Sequence, residues 1–421
     1  MRFGFTEQQL ELRAAVRQAL ERLCTVDDLR DAAGAPTGSA GGSPAGSPAG
    51  VAAGVAAGSP AGVAGRAAER WSVLASMGVL GLLVSEEHGG VGLGDVELVG
   101  VLEECGRVAL PEPVAETAAV VAPILARAGE LAADGATAGR TVSTLLPALA
   151  SGDQVATVGG ADFAPWGDPL PVTTTDPAPD VTQGTVVTTR VNAAPAADVA
   201  LLAWEIPGSG WQLHAVGAES LTATATPSID SGRALGRVEW TPWPHTMVAS
   251  GKHAHALVAE MVDRSALAAA AQLVGLTERM ISDTAAYAVH RHQFGRPIGS
   301  FQAVKHHLAD ARVGLEFARP AVYRAADSME RNLPERPEHV SMAKSLASDA
   351  ADLAARMALQ VHGAVGYTWE CDLHFFMKRA WALSAAWGAA PVHRRRVLAA
   401  AMERQGRGAR GSAPGLEGEK R

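Results

Sequence analysis

The residues of this chain that could do chemistry gather in two stretches of its C-terminal half. In YAVHRHQFGRPIGSFQAVKHHLAD (287–310), Arg291 closes a long helical run just before Gly295. A guanidinium there presents its donors as a fork that suits a phosphate. The bland alternative is an arginine favoured by the dipole at a helix C-terminus. In QVHGAVGYTWECDLHFFMK (360–378), Gly363 and Gly366 bracket a turn after a helix. A backbone without Cβ can approach a ligand closely, or it can serve only as a helix C-cap.

Other constellations carry less. SEEHGG (85–90) offers Glu86, Glu87 and His88, but adjacent residues of an extended chain point to opposite faces, so a solvated turn is expected. His306 and Asp310 share a helix face, with His307 between them. His393–Arg396 reads as a basic helix end. Cys24, Cys105 and Cys371 lie far apart, without zinc or redox spacing. No metal is expected.

The elements that must position these residues follow from periodicity. Thr6 with Gln9 makes a capping-box pattern ahead of Leu12, Val16, Leu20 and Leu23. Residues 34–65, a run of Gly, Ala, Pro and Ser, bury too little to offset their ordering entropy and read as a flexible insertion. From Ala67 the pattern is helix, tight connector (Gly89, Gly90, Gly92, Gly94), helix. Another apolar helix is expected from about Val114 to Gly129. Between 155 and 248, short runs such as GTVVTTRV, DVALLAWEI, WQLHAV and GRVEWTPW alternate with turn residues and read as an antiparallel β-domain. Long helices then return: one before Arg291, and others over 300–328, 338–362 and 372–387. The class is α+β. The expected units are an N-terminal helical domain (1–150), a middle β-domain (151–250), a C-terminal helical domain (251–405) and a disordered tail (406–421).

Bulk properties narrow the function. At 421 residues the chain can hold two or three folding units around a large core. A formal charge of -8 argues against nucleic acid as the main partner. The N-terminus lacks the apolar core of a signal peptide, and no uninterrupted apolar run of about 18 residues suggests a membrane span. A cytoplasmic location follows by default.

Three segments together resemble the acyl-CoA dehydrogenases. The 287–310 stretch resembles a helix that ends in R-x-x-F-G, crosses a short loop and re-enters a helix at F-Q. The 360–378 stretch resembles the Q-x-x-G-G-x-G-[FY] turn, and GVLGLLVSEEHGGVGLG (78–94) resembles the segment whose helices flank the acyl pocket. The resemblance implies an acyl-CoA dehydrogenase fold with a C-terminal four-helix bundle. It implies that Arg291 and Gln293 reach the pyrophosphate of an FAD bound mainly to a neighbouring subunit, with Phe294 beside it and Gln302 in the F-Q re-entry. Gln360, Gly363, Ala364 and Gly366 would face the adenosine end, Ala364 standing where the family has its second glycine. The implied reaction is oxidation of an acyl-CoA to the 2,3-enoyl-CoA, with electron-transfer flavoprotein as acceptor.

The departures from the family are informative. Its catalytic glutamate occupies one of two positions, which fall here on Ser265 and Trp387; neither can act as a general base. Glu260, Asp263, Glu370 and Asp372 stand near those positions in sequence. The middle-domain segments that meet the flavin ring correspond to TVGGADFAPWGDP and RVNAAPAADVALLA, where the usual hydroxyl, acid and tryptophan are not recognisable. A chain that keeps what reaches a neighbour's FAD and loses what serves its own resembles the actinobacterial heterotetramers, whose two unlike subunits share an active site and which act on bulky CoA esters. A homotetramer with a displaced base, a flavin-free scaffold subunit and a flavin monooxygenase on the same scaffold remain as alternatives.

Overall fold

The computed structural model of the chain describes residues 5–32, 60–132, 137–161, 173–174, 185–206 and 208–411. Helix α1 (Glu7–Leu23) opens on the expected capping box: the Gln9 N–H donates to Thr6 Oγ1 and the Thr6 N–H donates to Gln9 Oε1. Its Val16 and Leu20 are buried. Helix α2 (Val26–Ala32) follows, then α3 (Pro60–Ser76), which begins inside the segment read as a flexible insertion. Proline at the first helical position has no N–H to leave unpaired, and the residues after it are alanine-rich, so this end of the segment can join the helix. Residues 34–59 of that expectation lie outside the described residues.

Helix α4 (Asp95–Arg107) is buried along most of its length. The apolar stretch after it is not one regular helix. Ala115–Val121 is a π-helical segment, and α5 (Ala122–Leu131) continues from it. Pro123 cannot donate to the turn above it, and the wider register just before it absorbs the mismatch. Helix α6 (Thr137–Ser151), which was not expected, leads into the middle of the chain.

The middle holds two four-stranded sheets. The first contains β1 (Ala156–Gly159), β4 (Val199–Ile206), β5 (Gly210–Gly217) and β8 (Met247–Ser250), in the order β1-β4-β5-β8. The second contains β2 (Thr173–Thr174), β3 (Val186–Val191), β6 (Leu221–Ala225) and β7 (Gly236–Trp240), in the order β2-β3-β7-β6. The expectation of an antiparallel domain needs one correction: β1 runs parallel to β4, so the first sheet is mixed. The chain crosses through β2 and β3 of the other sheet between these two strands, which is the long connection a parallel pair requires. Strand β4 is also apolar without alternation. Its Ala200, Leu202 and Trp204 pack against Val186, Val238 and Trp240 of the second sheet, while Val199, Leu201 and Ala203 join the helical core. A strand covered on both faces needs no polar side.

Five helices complete the chain: α7 (Gly251–His290), α8 (Gln302–Glu330), α9 (Arg336–His362), α10 (Leu373–Ala385) and α11 (Ala390–Gly411). The first four form the bundle, and α11 packs on α9. The last helix runs into the stretch expected to be a disordered tail; residues 412–421 lie outside the described residues. Among the described residues no helix is long and apolar enough to cross a membrane, and no group of three or more His, Cys, Asp or Glu could hold a metal ion.

Alanine sets the spacing of these helices. Ala266 and Ala268–Ala271 of α7, and Ala343, Ala347, Ala350, Ala351, Ala354, Ala355 and Ala358 of α9, are buried. Where α4 crosses α7, a Cβ on Gly275 would collide with the carbonyl oxygen of Glu103, and one on Gly106 with that of Gln272. A charged cluster then ties α1 to the bundle. Arg13 reaches Glu103 at 2.7 Å and Glu104 at 2.6 Å, and Arg319 reaches Glu103 at 2.7 Å. Burial opposes the Glu104 charge, but hydrogen bonds from Arg17 and Arg13 outweigh it and hold the carboxyl below its ordinary range.

Gly275→Ala separates propensity from packing. Alanine is the better helix former by about 1 kcal/mol, yet here its methyl has no room, so a net loss of about 1–3 kcal/mol is expected. Gly139→Ala in α6, where a Cβ meets nothing within 4 Å, should be neutral or stabilising. Thermal melting of the two variants checks the contrast. A Gly275→Ala protein as stable as the parent would show that the α4–α7 crossing tolerates spreading.

Candidate functional site

Two places in the fold hold the chemistry-bearing residues. The first is one end of the bundle, where α7 ends, α8 begins and α9 ends. Arg291 is the C-cap of α7, its N–H donating to the Tyr287 carbonyl at 2.8 Å. A short hairpin follows: β9 (His292–Gln293) pairs with β10 (Arg296–Pro297) around Phe294 and Gly295. Both turn residues have positive φ, 54° and 77°, as in a two-residue hairpin turn whose twist matches its strands. Glycine adopts that conformation freely and phenylalanine does not. Phe294 is nevertheless 91% exposed, with its ring edge-on to Phe301 at 6.0 Å.

The glycine turn lies beside this hairpin. Tyr287, one turn before Arg291, stacks on His362 at 4.2 Å, and His362 directly precedes Gly363. Gly363 has φ +66°, and a Cβ placed on it would meet nothing within 4 Å. Gln302 opens α8 and is exposed, as are Gln293, Gln360 and Ala364. Gly366 is different: it is buried, and a Cβ there would fall 2.9 Å from Leu359 Cδ1 and 3.2 Å from His362 Cβ. Its absent side chain lets the turn fold onto α9; Gly363 is the glycine that faces open space.

The second place is a cleft of about 260 Å³ between the middle sheets and the C-terminal end of α10. It is lined by Glu116, Gly160, Arg190, Asn192, Arg233 and Trp387, among others. A smaller cavity behind it, about 10 Å³, is lined by Glu116, Arg233, Ser265 and Trp387. The fold therefore brings Ser265 and Trp387 together, although 122 positions separate them in the chain (387 − 265). Ser265 spends its hydroxyl on the Met261 carbonyl one turn back, at 2.7 Å. Trp387 has φ +55° and is pinned from behind. His393 Nε2 lies 2.9 Å from its carbonyl oxygen, and the fully buried Lys344 donates to the Ser384 and Gly388 carbonyls at 3.1 Å each.

The four carboxylates near those positions in sequence are engaged elsewhere or point away. Asp263 pairs with Arg396 at 2.7 Å and Arg336 at 3.4 Å, and Glu260 pairs with Arg264 at 2.9 Å. Asp372 pairs with Arg30 at 2.7 Å, Glu370 is exposed, and none of the four lines the cleft. The carboxylate that does line it is Glu116, in the π-helical segment. Asn192 Nδ2 donates to its Oε1 at 2.8 Å, and Arg233 Nη2 stands 3.9 Å away. Next to it, Thr117 Oγ1 bonds both the carbonyl and the N–H of Ala156, fixing the segment against β1. Sequence reading missed Glu116, Asn192 and Arg233. The one available signal was a single carboxylate inside the apolar run PVAETAAVVAP. Of the middle segments TVGGADFAPWGDP and RVNAAPAADVALLA, Gly159, Gly160, Arg190 and Asn192 reach the cleft; residues 162–169 lie outside the described residues.

Known proteins match both ends of this layout. The profile for the acyl-CoA dehydrogenase N-terminal domain fits residues 61–134, and the profile for the C-terminal domain fits residues 256–402. The chain belongs to the acyl-CoA dehydrogenase family. Membership makes FAD its cofactor class. The acyl-CoA dehydrogenase FadE34 of Mycobacterium tuberculosis is 30% identical over 335 residues, covering 77% of this chain but 41% of FadE34, so the chain spans less than half the length of that relative. IpdE2 of the same organism, also an acyl-CoA dehydrogenase, is 28% identical over 312 residues, covering 74% of this chain and 79% of IpdE2. Among solved structures, a chain of the ChsE4-ChsE5 complex from Mycobacterium tuberculosis superposes with a TM-score of 0.73 at 24% identity, covering 98% of this chain and 100% of its own. That likeness establishes the shared fold.

The residues behind Trp387 predict that the stability of the chain depends on pH. Burial, reinforced by the neighbouring Lys344 ammonium, pushes His393 down to about 3. The unfolded chain takes up that proton near pH 6.5. Between the two values the unfolded state binds more protons, so stability rises with pH and is lost as pH falls below about 6.5. Denaturant titrations should show stability dropping from about pH 7 to about pH 5, by at most roughly 1.4 kcal/mol per pH unit from this group. His393→Gln should flatten the slope. An unchanged slope would mean that His393 protonates in the folded chain.

Proposed function

We propose that this chain is one subunit of an oligomer that oxidises a CoA thioester to its 2,3-enoyl-CoA, with FAD held across the boundary between chains. Phe294 carries this reading. An aromatic ring in a left-handed hairpin position, almost wholly exposed, loses both conformational and hydration free energy unless something covers it. The open backbone of Gly363 and the exposed Arg291, Gln293, Gln302, Gln360 and Ala364 lie at the same bundle end. These features fit a dinucleotide: a guanidinium fork for the diphosphate, amides for its polar edges, a ring to stack and a cradle without side chain.

In this reading Arg291 and Gln293 bind the diphosphate, with Phe294 packed beside it. Gln302 and Gln360 orient its flanks, and the methyl of Ala364 borders the adenosine side. Bound FAD supplies the hydride acceptor. The cleft beside Trp387 receives the acyl chain, and the walls of α10 and β1 keep water from the reacting carbons. The partner is a related subunit, as in the ChsE4-ChsE5 complex, whose chain shares this fold. Electron-transfer flavoprotein is the proposed acceptor, and a cytoplasmic location suits a CoA thioester substrate.

The chain should be purified alone and after co-expression with a related acyl-CoA dehydrogenase subunit from the same genome, and the flavin spectrum recorded. Flavin bound on co-expression is expected, together with bleaching by a member of a panel from butyryl-CoA to a steroid side-chain CoA ester. A stable complex with no flavin would identify a scaffold subunit instead. Arg291→Ala removes a charge-assisted contact of about 1.5–3 kcal/mol, so FAD affinity of the assembly should fall roughly ten- to a hundredfold. Unchanged occupancy would refute the cross-chain clamp.

A further inference from the structure

We infer that Glu116 is the general base of this chain, taking the place of the glutamate that Ser265 and Trp387 do not supply; this rests on the functional reading above. Glu116 lines the cleft, the small cavity shared by Ser265 and Trp387, and a third cavity reaching Gln272 and Arg379. It is thus placed where both alternative base positions converge, on the opposite wall. The other carboxylates nearby are committed. Asp230 is bound by Arg379, and Glu112 is held by Arg70 at 2.7 Å.

The local structure favours a base over a structural ion. Asn192 donates to Oε1, and among the described residues no hydrogen bond reaches Oε2. One oxygen is therefore anchored and the other is available. Arg233 stands 3.9 Å from Oε1, too far for a hydrogen bond, so the carboxylate is oriented without being clamped by a guanidinium fork. The backbone is fixed from the next residue, since Thr117 locks the segment to β1. Position 116 lies in the π-helical segment, and such bulges recur at functional sites.

The step is a proton transfer. Glu116 Oε2 accepts a proton from the carbon next to the thioester carbonyl. The C–H bond breaks, an O–H bond forms, and the released pair moves onto the thioester carbonyl oxygen. No electron leaves the substrate at this stage; bound FAD would supply the acceptor for the later oxidation.

The test uses the co-expressed assembly in heavy water and follows exchange of the α-hydrogens of octanoyl-CoA and of a steroid side-chain CoA ester by NMR. FAD content and thioester affinity are measured in parallel. Glu116→Gln keeps the shape and can still accept from Asn192. Its exchange should drop at least about a hundredfold while FAD content and affinity stay within a few-fold. Glu116→Asp, with a shorter reach, should fall between the two. If Glu116→Gln fails to assemble, Glu116→Asp carries the comparison: a parental rate overturns the inference and a reduced rate upholds it. Exchange in Glu116→Gln within a few-fold of the parent would assign the base to another residue or to the partner subunit. Absence of exchange in the parent with both esters would instead overturn the functional reading, and this inference with it.

Discussion

Where α4 crosses α7, Gly106 and Gly275 leave no space for even a methyl group, and backbone meets backbone. That contact sets the distances of the whole chain. Helix α7, 40 residues long, is a wall common to the N-terminal helices, the first sheet and the bundle. Its middle carries the small residues Ala266, Ala268–Ala271 and Gly275, so each neighbour can approach closely. Dispersion falls steeply with separation, and a core of small side chains gains its stability from such proximity rather than from large residues. A spreading of this crossing would move the π-helical segment, β1 and α10 relative to one another, and those three elements form the walls of the cleft.

The two functional places depend on α7 in different ways. The bundle end uses its terminus: Arg291 caps the last turn, the hairpin leaves from it, and Tyr287 docks the end of α9 through His362. Everything needed there protrudes, which suits a surface completed by another chain. The small cavity behind the cleft uses the flank of the same helix. Ser265 stands on it, Glu116 faces it from the π-helical segment, and Trp387 closes over it. Polar groups in that region are buried or half-buried and have named partners: Lys344 and His393 behind Trp387, Asn192 and Thr117 around Glu116. An interface can wait for its ligand in water, whereas a half-buried carboxylate needs its contacts in place beforehand.

Much of this was legible from sequence because it is local. The capping box at Thr6, the long helices and the family motifs each reside within a few turns of chain, and hydrogen bonding and side-chain periodicity act over that range. Arg291 at a helix end and the turn after His362 were readable for the same reason. The same reading erred where long-range packing decides. Strand β4 is apolar on both faces because two layers cover it, and β1 joins β4 in parallel only because the chain detours through the second sheet. The helix after Pro113 widens because Pro123 cannot complete its ladder, which apolar periodicity does not register.

The sequence by itself therefore determined the family, the order of helical and β segments, and the residue types at the end of the bundle and at positions 265 and 387. Only the tertiary structure decided that those two positions meet in one cavity, that Gly363 faces outward while Gly366 serves packing, and that Glu116 fills the wall opposite Ser265. The reason is physical. Local pattern reports which face of an element is buried, but the convergence of α7, α10 and the 115–121 segment depends on crossings and strand pairings between distant parts of the chain, and no short window of sequence contains them.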